Sequence, residues 1–326
     1  MFDAFHRSIH DLRISVTDRC NYRCVYCRSG ETANGAPAAV ELTWAELRLA
    51  ARLFVELGIR KIRLTGGEPL LRAGLVDFVA ALASLGIEDL ALTTNGHLLG
   101  QCAESLRRAG LRRVTISLDS VHADKFARIT RVKTGFDRVI DSVARAQAAG
   151  LDPVKINVVL LRGFNDDEVE SFAAFAREHA VVVRFIEFMP LEEGRVWSPE
   201  MVVPLEEIVA RVDRLFPLVE IAHAPSETAK RYRFVDGAPG EIGVIAPVTR
   251  PFCGHCSRIR LTADGKIRTC LFSLREWDLA PLLRQPASHE AIREFILEAV
   301  AHKEERHHIG EPGFRRPSRT MVHIGG

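Results

Sequence analysis

Thr17-Asp-Arg-Cys20-Asn-Tyr-Arg-Cys24-Val-Tyr-Cys27, a stretch near the start of the chain, decides how the rest is interpreted. Its Cys-x3-Cys-x2-Cys spacing directly follows an apolar stretch that is predicted to be the first strand. Three thiolates can hold a cubane iron–sulfur cluster and leave one iron without a protein ligand. Zinc is the weaker alternative, because structural zinc sites usually need four ligands and no histidine lies within this loop. This first cysteine triplet therefore predicts a [4Fe–4S] cluster with an open iron.

A repeated strand–helix unit runs through the first two thirds of the chain. Amphipathic helices separate the predicted strands, and four helices end just before a glycine (Gly58, Gly86, Gly110 and Gly150). Such alternation is typical of a parallel sheet with right-handed crossovers, in the α/β class. Six units are too few for a complete barrel, so we predict an incomplete (βα)6 TIM-like barrel with its chemistry at the strand carboxyl ends. The six strands are expected to begin near Leu12, Lys61, Asp89, Arg113, Val154 and Val181.

Local signals set the boundaries of this organisation. Two helix starts have the sequence of a capping box, Thr43 with Glu46 and Asn165 with Glu168. A helix is expected near residues 204–216, and from about residue 218 the regular alternation stops. We therefore predict two domains: residues 1–217 form the partial barrel, and residues 218–326 form a smaller, loop-rich domain.

Composition excludes several classes of protein. The chain has 326 residues and a formal net charge of +2, so no global field attracts nucleic acid or an anionic membrane. No apolar run is long enough to span a membrane, and the first residues lack the apolar core of a signal peptide. We therefore expect a cytoplasmic protein with no membrane or nucleic-acid partner. In that reducing compartment, seven cysteines favour metal binding or catalysis over disulfides.

A second cysteine triplet lies in the later part of the chain. Cys253, Cys256 and Cys270 are spaced Cys-x2-Cys-x13-Cys, and arginines are interleaved with them. We predict a second [4Fe–4S] cluster, again with three thiolate ligands. Zinc with His255 as fourth ligand is the alternative, but that ring would have to fold back sharply between two ligands. The remaining thiol, Cys102, is interpreted as a buried structural cysteine.

Basic side chains occur on one face of the predicted sheet. Because side chains alternate along a strand, Arg13 shares a face with Ser15, Lys61 with Arg63, and Lys155 with Asn157, while Arg184 lies in the sixth strand. A solvated face would explain any one of them. In a barrel surrounded by helices, however, this face is the lumen, where unpaired cations cost several kcal/mol each. A polyanionic ligand such as a triphosphate would resolve that cost.

Polar or glycine-rich segments follow several strands and could form one rim. They are 66–69 (Gly-Gly-Glu-Pro), 93–96, 117–119 and 188–190. Glycines let the backbone approach a ligand closely, and an exposed carbonyl and the carboxylate of Glu68 could receive an ammonium group. Each segment alone could be an ordinary turn.

The first triplet resembles the signature of the radical S-adenosylmethionine superfamily. The resemblance implies that S-adenosylmethionine chelates the open iron and that one-electron cleavage gives a 5′-deoxyadenosyl radical. The chemistry would then belong to the cofactor, with no catalytic side chain assigned. Four positions match those that contact S-adenosylmethionine in the family: Tyr26, Gly67, Ser117 and Met189.

With the second triplet, the Arg258-Ile259-Arg260 segment and the Gly325-Gly326 tail, the chain resembles the GTP 3′,8-cyclase family of molybdenum cofactor biosynthesis (the MoaA family) over nearly its whole length. The resemblance implies that guanine binds the open iron of the second cluster. The radical would remove the ribose 3′ hydrogen of GTP, the resulting C3′ radical would attack C8 of the same guanine, and reduction would then give 3′,8-cyclo-7,8-dihydro-GTP. The positions that match GTP contacts are Arg13, Lys61, Arg63, Thr93, Lys155, Arg184, Arg258, Ile259 and Arg260. One departure is the segment 28–39, where the family usually has Met-Pro directly after the third cysteine.

The resemblance also implies an electron donor and a next enzyme that receives the product, cyclic pyranopterin monophosphate synthase, and it leaves a homodimer open. Two other functions are weighed against it. A radical enzyme that modifies a peptide also carries clusters in its second domain, but usually with more cysteines there. A non-catalytic iron–sulfur electron carrier would not need the Gly-Gly-Glu-Pro segment or a basic lumen.

Overall fold

The structure, a computed structural model, describes residues 1–27, 40–192, 194–285 and 287–325. These residues form a single sheet of twelve strands: β1 (Asp11–Ser15), β2 (Lys61–Thr65), β3 (Asp89–Thr94), β4 (Arg113–Ser117), β5 (Val154–Leu160), β6 (Val182–Glu187), β7 (Leu218–Ile221), β8 (Lys230–Phe234), β9 (Glu241–Ile245), β10 (Arg258–Leu261), β11 (Lys266–Arg268) and β12 (Trp277–Asp278). The segment 28–39 and Gly326 lie outside the described residues.

Helices connect and cover the strands. Over the same residues the α-helices are α1 (Trp44–Glu56), α2 (Leu75–Ala83), α3 (Leu99–Arg108), α4 (Ala123–Thr130), α5 (Phe136–Ala148), α6 (Val169–His179), α7 (Leu205–Leu215), α8 (Ala280–Arg284), α9 (His289–Ala301) and α10 (Met321–Ile324). Short 3-10 helices occur at Pro69–Leu71, Asp166–Glu168, Pro199–Met201 and Cys253–His255. In this described part, no helix has both the length and the apolar character that a membrane span requires.

The six predicted strand–helix units form the centre of the sheet. Strands β1 to β6 lie side by side in chain order and run parallel. The apolar side of the alternation is buried against the helices: Leu12, Ile14, Ile62 and Leu64 are at most 1% exposed. The four helix-ending glycines all have positive φ, as expected for residues that follow a helix end. The incomplete (βα)6 barrel is therefore confirmed.

Strands from the later part of the chain extend this sheet on both sides. β10 pairs parallel with β1, and β9 pairs parallel with β6, so eight parallel strands surround the lumen in the described structure. The antiparallel strands β11 and β12 follow at one edge, and β8 and β7 at the other. Residues after 217 therefore contribute to the same sheet at both flanks, and the division at residue 217 stays a prediction about domain organisation.

The second predicted capping box is wrong. The side chain of Asn165 makes no cap; its Oδ1 accepts from the backbone N–H of Leu161 (2.9 Å) and its Nδ2 donates to the carbonyl of Asp119 (2.8 Å). Glu168 is buried and accepts from Ser120 Oγ (2.9 Å). Both side chains therefore bridge to the loop after β4, a long-range contact that local spacing does not reveal.

The first capping box is confirmed and gives a test of helix stability. The N–H of Glu46 donates to Thr43 Oγ1 (3.2 Å), and the N–H of Thr43 donates to the Glu46 carboxylate (2.5 Å). We expect Thr43→Ala to lower the free energy of unfolding by about 1 kcal/mol, because the cap acceptor is lost. Anaerobic guanidinium unfolding of the cluster-loaded protein measures this, and Thr43→Ser is the matched control. Equal losses in both variants would show that the hydroxyl does not cap α1.

Candidate functional site

One cavity brings both cysteine triplets together. All six thiols line it and none forms a disulfide. The first triplet follows the carboxyl end of β1. The second triplet flanks the amino end of β10, since Cys253 and Cys256 precede β10 and Cys270 follows the antiparallel β11. The two triplets therefore lie at opposite mouths of the lumen. Strand carboxyl ends, where the sequence predicted the chemistry, form only one of those mouths.

Two glycines hold the loop of the first triplet against the end of β2. The N–H of Gly67 donates to the carbonyl of Thr17 (2.6 Å), and the N–H of Glu68 donates to that of Arg19 (2.7 Å). A Cβ on Gly67 would lie 2.3 Å from the Arg19 carbonyl oxygen, so no larger residue fits there. Gly66 and Gly67 line the cavity beside the first triplet.

The carboxylate of Glu68 is held by hydrogen bonds from the neighbouring strand end. Its carboxylate is 1% exposed and accepts from Thr94 Oγ1 (2.7 Å), the N–H of Asn95 (2.7 Å) and the N–H of Leu70 (3.0 Å). Burial raises the pKa of Glu68 to about 7 despite these hydrogen bonds. The carboxylate therefore joins the end of β2 to the end of β3, and its contact with an ammonium group stays a prediction.

The remaining residues matched to S-adenosylmethionine also line the cavity near the first triplet. They are Tyr26, Ser117 and Met189. The hydroxyl of Tyr26 donates to Asp119 Oδ2 (2.7 Å), and burial raises the pKa of Asp119 to about 6. This pair fixes the ring next to the last cysteine of the triplet. Sequence reasoning placed Asp119 on the rim but gave it no partner.

Basic side chains from distant parts of the chain support the second triplet. Arg7 donates to the carbonyl of Cys253 (2.9 Å), and Lys303 donates to the carbonyl of Arg258 (3.0 Å) and to that of Thr269. Burial disfavours the Cys256 thiolate, but the positive charges of Arg258 and Lys303 outweigh it and lower the pKa of Cys256 to about 6. The surroundings of Cys256 therefore favour an anionic thiolate, whereas burial raises the pKa of Cys253 and of Cys270.

The donor sets fit clusters better than single ions. Within the described ranges, no three histidine, cysteine or acidic side chains are close enough to hold one metal ion. A cubane separates its thiolate ligands more widely than a tetrahedral zinc ion does, so three thiols around one end of a cavity suit a cluster. His255, the fourth ligand of the zinc alternative, is exposed and does not line the cavity.

A row of arginines crosses the lumen between the two mouths. In the sheet register, Arg13 of β1 lies opposite Arg63 of β2 on one side and opposite Arg260 of β10 on the other. Arg184 and Arg258 also line the cavity, and Arg63 donates to Thr93 Oγ1 (3.2 Å) and Thr115 Oγ1 (3.1 Å). The prediction that alternating strands present cations to a common lumen is confirmed for these residues.

Three of the residues matched to GTP lie elsewhere. Lys61 is the first residue of β2, and neither it nor Lys155 lines the cavity. Ile259 is 1% exposed and belongs to the apolar core on the other face of β10. Lys155 is nevertheless close enough to the row to feel its charge. Burial, and then the positive charge of Arg184, lower the pKa of Lys155 to about 7. A contact from Ile259 to a lumenal ligand would have to come from its backbone.

The lumenal arginines lack carboxylate partners in the described structure. Across the described chain, none of the five cavity-lining arginines Arg13, Arg63, Arg184, Arg258 and Arg260 forms a salt bridge with a carboxylate. Burial, and then neighbouring positive charge, lowers the pKa of Arg13 to about 10 and of Arg184 to about 9. Buried polar atoms without a hydrogen-bond partner in the described structure include Asn157 Oδ1, Arg184 Nε and His307 Nε2, all from residues that line the cavity. Arg184 Nε is a donor that suits an anionic oxygen, whereas Asn157 Oδ1 is an acceptor that needs a donor, so these atoms point to a polar ligand.

The carboxyl-terminal segment enters the same lumen. Gly325 accepts from Arg260 Nη1 (2.5 Å), and a Cβ on Gly325 would lie 2.4 Å from Thr65 Oγ1. With φ at +67°, this position favours glycine for its backbone as well as for its space. Gly326 lies outside the described residues, so the structure describes only the first glycine of the predicted diglycine tail.

Family models cover most of the chain. The model described as Radical SAM superfamily matches residues 14–176, and the model described as Molybdenum Cofactor Synthesis C matches residues 181–309. The chain is 46% identical over 304 residues to GTP 3′,8-cyclase of Acidothermus cellulolyticus. The matched region covers 91% of this chain and 84% of that relative. It is 44% identical over 332 residues to GTP 3′,8-cyclase of Thermodesulfovibrio yellowstonii, which covers 100% of both chains.

Solved structures agree on the fold. The chain resembles Streptococcus suis SuiB bound to precursor peptide SuiA with a TM-score of 0.64, 14% identity, and coverage of 96% of this chain and 76% of SuiB. At that identity the likeness extends to the fold alone and carries no argument for a peptide substrate. Identity at the level of the cyclase relatives, across the full length of both chains, decides the family. The chain belongs to the GTP 3′,8-cyclase family of the radical S-adenosylmethionine superfamily.

Proposed function

We propose that this protein converts GTP to 3′,8-cyclo-7,8-dihydro-GTP, the first step of molybdenum cofactor biosynthesis. The observation that carries the proposal is the row of buried arginines between two cysteine triplets in a single cavity. A triphosphate supplies the negative charge that the described lumen lacks. The full-length identity to GTP 3′,8-cyclases supports the same substrate.

Two clusters would be held by the two triplets, each with an iron open to a ligand. Reductive cleavage of S-adenosylmethionine supplies the radical chemistry that removes the ribose 3′ hydrogen of GTP. Tyr26, Gly67, Ser117 and Met189 line the mouth where that cofactor would bind. The clustered apolar and polar groups of this mouth would exclude water and orient the cofactor toward the lumen.

The lumenal side chains would hold GTP so that its reacting atoms stay together. Arg13, Arg63, Arg184 and Thr93 lie between the mouths, where they can bind phosphate oxygens. The guanine would then lie toward the second triplet, with Arg258 and Arg260 beside it. Lys155 lies near the row and would add positive charge. For Lys61 and the backbone of Ile259, a contact with GTP rests on the family resemblance alone. Bonding of C3′ to C8 requires this fixed geometry rather than an acid or base from the protein.

The reaction also needs partners that the chain does not contain. An electron donor must reduce the first cluster, and a second electron and a proton must convert the cyclised radical to the 7,8-dihydro product. We expect the donor in the cytoplasm, where the product passes to the next enzyme of the pathway, cyclic pyranopterin monophosphate synthase. A homodimer is compatible with this function, which needs only one cavity.

The cluster count gives the first test. Anaerobically reconstituted protein should bind about eight irons. A variant with Cys253, Cys256 and Cys270 changed to alanine should bind about half as many and lose GTP cyclisation, while S-adenosylmethionine cleavage persists at the first triplet. Cys102→Ala, a thiol in α3 outside the cavity, is the control and should keep all the iron. Tight zinc together with about four irons in the unaltered protein would contradict the two-cluster proposal.

The lumenal cations give the second test. Arg63→Ala should weaken GTP binding by roughly 1.5–3 kcal/mol, because a charge-assisted hydrogen bond is lost. Calorimetry should also show less discrimination between GTP and guanosine, with S-adenosylmethionine binding unchanged. Arg60→Ala is the control, since Arg60 precedes the same strand and its exposed side chain lies 3.6 Å from Glu88. Unchanged GTP affinity in Arg63→Ala would refute the triphosphate interpretation of the row.

The carboxyl-terminal segment gives the third test. Removing Gly325 and Gly326 should greatly reduce product formation and leave both clusters intact. Gly325→Ala should act in the same direction, because its Cβ would collide with Thr65. Gly310→Ala is matched for positive φ (+82°) but has open space around its Cβ, so it separates backbone strain from the collision. Full turnover by the truncated protein would mean that the segment is an ordinary terminus.

A further inference from the structure

One buried histidine near the second triplet has no role in the function described so far. His307 lies in the loop after α9 and lines the cavity with Cys253, Cys256 and Cys270. Its backbone N–H interacts with the Cys253 thiol and favours the thiolate. Its ring packs on Phe272 with 5.4 Å between the ring centroids. The ring is therefore held in place at the mouth formed by the second triplet.

The hydrogen bonds of the ring fix its tautomer. The backbone N–H of Ile309 donates to His307 Nδ1 (3.2 Å), so Nδ1 is an acceptor and carries no proton. An imidazole whose Nδ1 accepts a hydrogen bond is in its neutral form. The one ring proton of the neutral form is then on Nε2. His307 accordingly presents an N–H donor at this atom.

That donor lacks an acceptor. Nε2 is buried and has no hydrogen-bond partner in the part of the chain that the structure describes. The Pro247 carbonyl is near enough to favour a protonated ring, but it does not reach hydrogen-bond geometry with Nε2. A buried donor left unpaired is unfavourable, because it has lost its hydrogen bond to water. Together with the cavity-lining position of the ring, this indicates that a ligand in the cavity supplies the acceptor.

The orientation of the substrate identifies the acceptor, and this step rests on the proposed function. C8 of guanine must face the ribose with which it bonds, on the side of the first triplet. The opposite, six-membered side of the base then faces the second triplet. The groups along that edge are O6, N1–H and the 2-amino group, of which the neutral base offers only O6 as an acceptor.

We propose that His307 is a specificity-determining residue whose Nε2–H donates a hydrogen bond to O6 of the guanine of GTP. It recognises the 6-oxo group of the purine, while the arginine row recognises the phosphates. A pocket built to hydrogen-bond one substrate group discriminates against an analogue that lacks it, because its own donor is then left unpaired. His307 thus selects which purine nucleotide can occupy the second mouth.

The test measures coupling between the histidine and the 6-oxo group. GTP and 2-aminopurine riboside triphosphate, which lacks O6, are titrated anaerobically into the protein with both clusters loaded. We expect His307→Phe to lose about tenfold in affinity for GTP, the size of one hydrogen bond, and to bind the analogue as the unaltered protein does. The two proteins and the two nucleotides form a double-mutant-type cycle. Any effect of the analogue on the open iron is common to both proteins and cancels in this comparison. His307→Gln, which keeps an N–H donor, should recover part of the discrimination.

His308→Phe is the matched control, because this neighbouring ring is exposed and pairs with Glu311 (2.7 Å). It should keep the discrimination of the unaltered protein. If His307→Phe loses iron, His307→Leu takes its place. Unchanged discrimination between GTP and the analogue, in a variant with both clusters intact, would overturn the inference. So would a variant whose only change is in the electron paramagnetic resonance spectrum of the second cluster without GTP. Failure of the unaltered protein to bind GTP would instead refute the proposed function.

Discussion

The burial of like charges in register is the constraint on which this structure depends. Parallel pairing places Arg260, Arg13 and Arg63 side by side on three neighbouring strands, on the face that lines the lumen. Hydroxyl groups such as Thr93 and Thr115 solvate part of this charge but neutralise none of it. The apolar face of the same strands offsets the unfavourable burial of this charge. Its side chains pack under the helices and include Leu12, Ile14, Ile62 and Leu64. A bound polyanion would neutralise these charges. Binding of the substrate would therefore also stabilise the folded lumen.

The strand order places this charge between two reactive ends. Because β10 pairs with β1, the triplet that follows β1 and the triplet that flanks β10 occupy opposite mouths. A nucleotide anchored by its phosphates at the centre can then reach one mouth with its ribose and the other with its base. In the proposed function one triplet would serve the radical cofactor and the other the substrate, and this strand pairing would separate those two roles.

Sequence reasoning reached the parts of the site that depend on short spacings. Period-two alternation identified the lumenal faces of β1, β2 and β5, and cysteine spacing identified both triplets. It failed where partners are distant in the chain. The buried carboxylate of Glu68 accepts hydrogen bonds from Thr94 at the end of β3 and from Asn95 just after it, a pairing that the sequence did not indicate. The flanking positions of β9 and β10, and the orientation of His307 in a loop without any motif, depend on long-range pairing that no local pattern encodes.

The same flanking strands have a consequence for the synthesis of the chain. The strands β1 to β6 leave the ribosome before β9 and β10 exist, so the nascent sheet has unpaired β1 and β6 at its two edges. Unpaired edges are templates for association with other chains, and the pairing of β1 with β10 joins nearly opposite ends of the sequence. Pairing of this kind is slow to form and prolongs the exposure of aggregation-prone intermediates. The last strands of this protein therefore also cap the sheet against aggregation, and a chain released early would expose both edges together with its uncompensated arginines.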